Sequence, residues 1–261
     1  LKIGAVPVLQ NSLLGPGEVA YVREHSEATA AITLDPIAGP LRALTGDLPR
    51  GLMVARGAGV ADHSFERLIE ENSGEPLECA DTDANEAAFF VYTSGTTGRP
   101  KGIVHAHRWV IALGDTNKLR LPPHDGDVAM ATGEWSFISA LGHNLLFPLR
   151  NGITGAILES RATPENVLAA IENFGVTLIY SVATVYRRIL AMDGVEGNYN
   201  LSSLRGCNAT GEALETATYE QWQRRIGCPI WEHYGLSEMQ LIFGQGPRWP
   251  VRPGSIGKPL P

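Results

Sequence analysis

Cysteine is scarce in this chain. Its 261 residues include three cysteines, Cys79, Cys207 and Cys228, which lie far apart in sequence. An odd and widely spaced set predicts neither a disulfide framework nor a cysteine-based metal site. It favours buried or unreactive thiols in a reducing compartment, so we expect a cytoplasmic protein.

Long apolar runs and an excess of positive charge are also lacking. The most apolar stretch, Phe137 to Leu149, is too short to cross a membrane and contains His143 and Asn144. We expect neither a membrane span nor a signal peptide. The chain has 21 Lys and Arg against 28 Asp and Glu, for a formal net charge of −7, which argues against a nucleic-acid-binding surface.

Short apolar runs alternate with helix-like stretches along the chain. The best-marked helix begins at Pro164, with Thr163 as a plausible N-cap and Gly175 just past the end. Regular alternation of this kind predicts parallel strands with helices on both faces. We therefore predict an α/β fold with layered, mostly parallel sheets flanked by helices.

A polar and acidic passage, Asn72 to Glu86, interrupts this pattern. It predicts a boundary between a partial first α/β subdomain, residues 1–85, and a second α/β subdomain, residues 86–261. Open parallel sheets bind ligands beyond the carboxyl ends of their strands. The turns that follow strands are therefore where we expect a functional site.

One such turn, YTSGTTGRPKG at Tyr92 to Gly102, follows the apolar segment Ala87 to Val91. Its glycines allow unusual backbone geometry, and its N–H groups, hydroxyls and lysine could surround a phosphate. The candidate phosphate-binding residues are Thr93, Ser94, Gly95, Thr96, Thr97, Gly98 and Lys101. Arg99 and Pro100 distinguish the turn from a Walker A loop, in which the lysine directly follows the second glycine. The alternative interpretation is a polar hairpin between two strands.

The run YTSGTTGRPKG resembles the phosphate-binding signature of the adenylate-forming enzymes, which include acyl-CoA synthetases, adenylation domains of peptide synthetases, and luciferases. Two later turns resemble the same family in the same order. They are ATGEAL, at Ala209 to Leu214, and HYGLSE, at His233 to Glu238. Read alone, the first is a loop before a helix and Glu238 is a surface carboxylate.

For the ATGEAL turn, the resemblance implies that the backbone lies against the adenine ring of ATP. The cofactor-binding candidates in this turn are Gly211, Glu212 and Ala213. Gly211 would let a flat base approach the main chain, which a side chain would obstruct.

For the HYGLSE turn, the resemblance assigns Tyr234 to adenine packing, Ser237 to the α-phosphate and Glu238 to magnesium. It places His233 where the family often has an amide or acid near the adenine amino group, and it adds Gly235 to the nucleotide-binding turn. A single carboxylate suits Mg²⁺, because this ion usually keeps several waters and also binds substrate phosphates.

The resemblance also implies a pocket for a carboxylic acid. Its candidate residues are Trp135, Phe137, Gly142 and Ala183. Ala183 stands where most relatives have proline, and for the apolar candidates core packing is an equal alternative. FISALGHNLLFPLRNG, ATGEALE and GLSEMQLIFG together resemble benzoate- and aminobenzoate-CoA ligases, which implies an aryl or similarly compact acid.

The activity implied by the resemblance is that of an AMP-forming acid–CoA ligase. ATP and the acid would give an acyl-adenylate and pyrophosphate, with Lys101 and Glu238 as the catalytic residues, and the acyl group would then pass to CoA. Mg²⁺ is the implied metal, and a homodimer is a further expectation.

The chain resembles only the middle of the family. We therefore expect the C-terminal lobe to be absent and this chain alone to be poorly active or inactive. The alternatives are an adenylation domain that serves a carrier protein and a non-catalytic nucleotide-binding module.

Overall fold

The computed structural model describes residues 1–57, 60–74, 76–93 and 98–260. The chain divides into two compact units, Leu1–His105 and Ala106–Pro261. The subdomain boundary predicted at residue 85 falls inside the first unit and stays a prediction. Among the described residues, no helix has both the length and the apolar character that a membrane crossing requires.

In the described part of the first unit, the strands form two three-stranded sheets. Its elements are, in order, β1 (Val8–Leu9), α1 (Pro16–His25), β2 (Ala31–Leu34), α2 (Asp35–Thr45), β3 (Leu52–Ala55), β4 (His63–Ser64), α3 (Phe65–Glu71), β5 (Ala87–Thr93) and β6 (Lys101–Ala106). One sheet has the order β1-β5-β6, with β1 parallel to β5, and the other is the parallel sheet β2-β3-β4. Ala38, Leu52 and Val54 form a small core beneath the second sheet.

The second unit is built on one large sheet. Its elements are, in order, α4 (His107–Arg120), β7 (Val128–Ala131), α5 (Ile138–Leu141), a π-helical segment (Gly142–Leu146), α6 (Phe147–Asn151), β8 (Thr154–Ala156), α7 (Pro164–Phe174), β9 (Leu178–Ser181), α8 (Ala183–Leu190), α9 (Val195–Asn198), β10 (Gly206–Ala209), α10 (Thr216–Arg225), β11 (Ile230–Tyr234), β12 (Phe243–Gly244) and β13 (Lys258–Pro259). The strand order is β13-β12-β11-β10-β9-β7-β8. Strands β7 to β11 pair in parallel, whereas β12 and β13 pair antiparallel.

Helices cover both faces of this sheet, so every residue of the central strands β9 and β10 is buried. One core joins β9 and β10 to α7, α8 and α10, and it includes Ile171, Tyr186 and Trp222. The other core lies between the sheet, α5 and α6, and it includes Phe147 and Tyr180. The predicted α/β fold, with mostly parallel sheets flanked by helices, is confirmed.

Helix α7 shows how local sequence sets an element. It begins at Pro164, and the Thr163 hydroxyl caps it by accepting a hydrogen bond from the Asn166 N–H at 3.3 Å. It ends at Phe174 and is followed by Gly175, whose φ of +59° suits glycine. The cap, the first-position proline and the terminal glycine were all predicted from sequence.

Candidate functional site

The predicted phosphate loop is only partly described. Ser94, Gly95, Thr96 and Thr97 lie outside the described residues, so their predicted contacts stay predictions. Thr93 ends β5 and Lys101 begins β6 with an exposed side chain. Gly98 has a φ of +112°, a conformation that side chains disfavour. The described part thus consists of two strand ends that bracket the loop.

Tyr92 explains one glycine beside this loop. A Cβ at Gly102 would lie 3.0 Å from the Tyr92 ring, closer than ordinary packing allows. The Tyr92 hydroxyl in turn lies 2.8 Å from His25 Nδ1, which holds the ring in place. The glycine after Lys101 therefore lets β6 pass the tyrosine at the end of β5.

In the second unit, several predicted site residues lie in segments that follow neighbouring strands at one edge of the sheet. Ala209 pairs in register with Ser181 of β9 and Glu232 of β11. Because these three strands are parallel neighbours, the turns after them emerge side by side. This arrangement brings together the starts of the segments that carry Ala183, the ATGEAL turn and the HYGLSE turn.

Hydrogen bonds join the ATGEAL turn to the segment after β9 and to β11. Gly211 has a φ of +85°. Glu212 accepts a hydrogen bond from the Thr184 N–H and lies 3.8 Å from Arg187, and these contacts, the Thr184 bond first, lower the pKa of Glu212. On the other side, Glu232 accepts a hydrogen bond from the buried Leu214 N–H at 3.0 Å.

Glu212 therefore acts as a cap for another helix. Helix α8 begins at Ala183, and its own N-cap residue, Val182, provides no side-chain hydrogen bond. The Glu212 carboxylate satisfies one of the free N–H groups of the first turn of α8. Its side chain is thus engaged by the protein, while a contact between its backbone and a nucleotide stays a prediction.

The HYGLSE turn is a tight reversal that leads to β12. The Leu236 N–H donates to the Met239 carbonyl at 2.8 Å, and the Met239 N–H donates to the Leu236 carbonyl at 3.1 Å. A Cβ at Gly235 would overlap the Gln240 carbonyl, so the turn requires glycine there. Tyr234, with 44% of its surface exposed, stands at the start of this reversal.

Ser237 and Glu238 occupy the tip of the same turn, and Glu238 is exposed. Among the described residues, no group of three or more His, Cys, Asp or Glu side chains could enclose a metal ion. A single exposed carboxylate fits a magnesium ion that is also held by nucleotide phosphates and water.

His233 lies on the opposite face of β11 from Tyr234, because neighbouring side chains of a strand point to opposite sides. It is 3% exposed, and within the described part of the chain neither ring nitrogen has a hydrogen-bond partner. Its ring lies 5.0 Å from that of His143. Burial, and then the charge of Arg120, hold the pKa of His233 well below its usual value. The structure thus directs this side chain away from the face of Tyr234.

The four candidates for the acid pocket differ in accessibility. Phe137 is 54% exposed. Trp135 is half-buried, and its indole N–H donates to Asn144 Oδ1 at 3.0 Å. Gly142 and Ala183 are buried. A Cβ at Gly142 would overlap the carboxamide of Gln240, so this side chain fills the space beside the glycine.

Sequence reasoning missed a buried polar cluster on the His233 face of the sheet. Arg120, the last residue of α4, is its centre. Its Nη1 donates to Asn208 Oδ1 at 2.8 Å and to the Gln245 carbonyl at 2.9 Å, and its Nη2 donates to Asn117 Oδ1 at 3.1 Å. Burial lowers the pKa of Arg120 from its usual value. A lone arginine at a helix end gives no sequence signal for such a position.

His143 extends this cluster into the π-helical segment. Its Nδ1 lies 2.8 Å from the Ser139 carbonyl and 2.8 Å from Gln240 Nε2, which also donates to that carbonyl at 3.1 Å. Its ring stacks on Tyr180 with centroids 3.9 Å apart. Side-chain groups that bind a helix carbonyl in this way are a known cause of a local change in helix type.

Comparisons with known proteins cover the whole chain. The family model described as "AMP-binding enzyme" matches residues 1–261. A benzoate–CoA ligase of Thauera aromatica is 33% identical, over 100% of this chain and 49% of that protein. A 3-hydroxybenzoate–CoA ligase of Aromatoleum sp. (strain CIB) is 32% identical, over 100% of this chain and 50% of that protein.

A solved structure gives the same result. The anthranilate–CoA ligase AuaEII in complex with anthranoyl-AMP superposes with a TM-score of 0.91 at 30% identity, over 99% of this chain and 50% of that one. The chain therefore spans about half the length of the curated relatives it matches.

Proposed function

The chain belongs to the AMP-binding enzyme family, and on that premise we propose that it forms the ATP- and acid-binding part of an AMP-forming acid–CoA ligase. One observation carries the proposal. The parallel strands β9, β10 and β11 end side by side, and the segments that follow them hold Ala183, the Gly211 turn and the Ser237–Glu238 turn.

The first step would join two anions, since a carboxylate must attack the α-phosphorus of ATP. Positive charge and oriented donors are therefore the main resource for the reaction. Lys101 would place a cation on the phosphates, and the Ser237 hydroxyl would donate to the α-phosphate. Glu238 would hold Mg²⁺, which offsets phosphate charge when bound. CoA would then accept the acyl group.

The ATGEAL and HYGLSE turns would bind the base. The backbone around Gly211 would lie against one side of adenine, and Tyr234, which is partly exposed at the end of β11, would pack against the ring. The carboxylate of Glu212 supports this arrangement indirectly, because it fixes the turn to the start of α8.

We propose an aryl or similarly compact acid as the substrate. The matched relatives named for their substrates include ligases of benzoate and 3-hydroxybenzoate, and the matched solved structure holds anthranoyl-AMP. In this chain Phe137 and Trp135 offer aromatic surface after β7. Gln240 fills the space beside Gly142, where it would limit the depth of the proposed acid pocket.

CoA is the proposed acceptor in place of a carrier protein, because the matched relatives are named CoA ligases. A homodimer and a cytoplasmic location stay predictions. Size-exclusion chromatography with light scattering would test the first.

The proposal is tested by acid-dependent exchange of pyrophosphate into ATP. The assay uses the protein expressed from its complete reading frame and a panel of benzoate, 2-aminobenzoate, 3-hydroxybenzoate, cyclohexanecarboxylate and butyrate. We expect exchange with aryl acids above that with butyrate, and formation of a thioester when CoA is added. Exchange with none of these acids would overturn the proposal, and adenylate without thioester would favour a carrier protein as acceptor.

A further inference from the structure

Arg120 is a buried cation without a buried anion beside it. It is 0% exposed, and across the described ranges no Asp or Glu forms an ion pair with it. Its guanidinium donates to two side-chain amide oxygens and a main-chain carbonyl. Burying an uncompensated charge costs several kcal/mol. An apolar residue of similar size would avoid that cost, but it could not supply the planar, multi-donor fork of a guanidinium.

The fork joins three segments of the second unit. It connects the end of α4 to Asn208 of β10 and to the Gln245 carbonyl, directly after β12. Two glycines make room for it, since a Cβ at Gly244 would lie 2.5 Å from Arg120 Cδ and a Cβ at Gly246 would overlap the Arg120 carbonyl. The close fit on both sides indicates that this part of the chain is built around the arginine.

Strand β12 is the return leg of the HYGLSE turn. Its Gly244 pairs in register with His233 of β11, and the residues between the two strands include Ser237 and Glu238. The hydrogen bond from Arg120 to the Gln245 carbonyl, directly after β12, therefore fixes the second strand of this hairpin. The proposed phosphate and magnesium groups lie at the free end of the same hairpin.

Gln240 is a second support of the same hairpin. Its Nε2 donates to the Ser139 carbonyl of α5 at 3.1 Å, and its side chain lies beside His143 of the π-helical segment. The hairpin is therefore held at two residues, Gln240 and Gln245, and Arg120 bonds the carbonyl of the second.

We propose that Arg120 is a positioning residue for adenylation: its buried guanidinium, bonded to Asn208 and to the Gln245 carbonyl, fixes the hairpin that carries Ser237 and Glu238. The inference rests on the proposed function for its effect on catalysis. The multi-donor fork and the charge of the guanidinium are separable by substitution.

The test compares Arg120→Lys, which keeps the charge and loses the fork, with Arg120→Gln, which loses both, in the protein from its complete reading frame. Arg225→Gln is the control, because Arg225 also bonds two main-chain carbonyls, of Leu190 and Met192, and pairs with Glu196 rather than with these turns. We expect both Arg120 variants to lower kcat of pyrophosphate exchange by about 10- to 100-fold, the effect of displacing a reacting group by about 1 Å. KM for ATP should change less, and the control should keep the wild-type kcat.

The two Arg120 variants distinguish the fork from the charge. Because both lose the fork, both should lower kcat, whereas Arg120→Lys would keep the wild-type kcat if only the charge mattered. Equal loss of kcat in all three variants, or a wild-type kcat in Arg120→Lys, would overturn the inference.

A readout without substrate separates this inference from the proposed function. Hydrogen exchange of the Leu236 and Gln245 amides, which bond within the hairpin, should be faster in both Arg120 variants than in the wild type and in Arg225→Gln. Unchanged amide exchange in the Arg120 variants would refute the positioning role whatever the catalytic activity. Absence of pyrophosphate exchange in the wild type would instead count against the ligase.

Discussion

Replacing Gly211 by alanine tests whether the turn after β10 is a surface for adenine. Gly211 has a φ of +85°, and an added Cβ would lie 3.5 Å from Val182 Cγ1, an ordinary contact. The cost to the fold is therefore backbone strain alone, about 1–2 kcal/mol for a non-glycine residue in the left-handed region.

Gly175 offers a matched control. Its φ is +59°, it follows the last residue of α7, and an added Cβ would meet no atom within 4 Å. Gly175→Ala should therefore lose a similar free energy of unfolding, measured by urea denaturation of both variants. It should leave the nucleotide turn unchanged.

The two variants should differ in nucleotide affinity. In Gly211→Ala a methyl group would stand between the main chain and the base, and we expect Kd to rise at least tenfold, which is about 1.4 kcal/mol. The loss should be the same for ATP and adenosine in isothermal titration calorimetry, because both carry adenine. If Gly211→Ala binds ATP as tightly as Gly175→Ala does, the turn does not lie against the base.

Other substitutions test other parts of the account. Lys101→Ala should weaken binding of ATP more than of adenosine, and the exposed Lys118→Ala should change neither; an equal effect on both ligands would mean that Lys101 does not contact phosphate. Glu212→Ala should cost about 1 kcal/mol of unfolding free energy through loss of the α8 cap, and Glu212→Gln less, because the amide oxygen still accepts the bond; equal losses in urea denaturation would argue against the capping role. Asp127→Asn should cost about 3 kcal/mol, because it breaks a largely buried pair with Arg205 whose closest atoms are 2.5 Å apart. Burial would raise the pKa of Asp127, but its hydrogen bonds, led by that from Arg205, lower it overall. The stabilisation is therefore present above the unfolded-state pKa and is lost as the pH falls through the lower folded-state pKa. The urea midpoints of variant and wild type should converge in acid, and a difference that persists there would contradict the assignment.

Local signals predicted the fold well where the cause is local. The cap, proline and terminal glycine of α7 act within a few residues of Thr163 and Gly175, and the structure confirms them. The order of strands and helices followed from alternating apolar runs, because parallel sheets need helices on both faces.

The environment of the site depended on contacts that sequence does not show. His233 follows Glu232 and precedes Tyr234 in one strand, and which face each side chain takes is set by pairing with β10 and β12. Glu212 lies in a turn that resembles a nucleotide contact, yet its carboxylate caps a helix that begins 29 residues earlier, at Ala183. Long-range partners of this kind become visible only in three dimensions.

Arg120 shows the same limit more strongly. Arginine is seldom fully buried, and the residues that bind it, Asn208 and Gln245, stand 88 and 125 positions away. The position of Gln240 above Gly142 is similarly non-local. A sequence pattern indicates the periodicity of apolar residues and the type of turn, whereas these contacts arise from the packing of α4 and the π-helical segment on the sheet.

The nucleotide product tests adenylation most directly. Incubating the protein from its complete reading frame with ATP labelled at the α-phosphorus, Mg²⁺ and benzoate should yield labelled benzoyl-adenylate and pyrophosphate. Adding CoA should release labelled AMP, and neither labelled product should form when the acid is omitted. Formation of ADP, or of AMP at the same rate without any acid of the panel, would contradict the account.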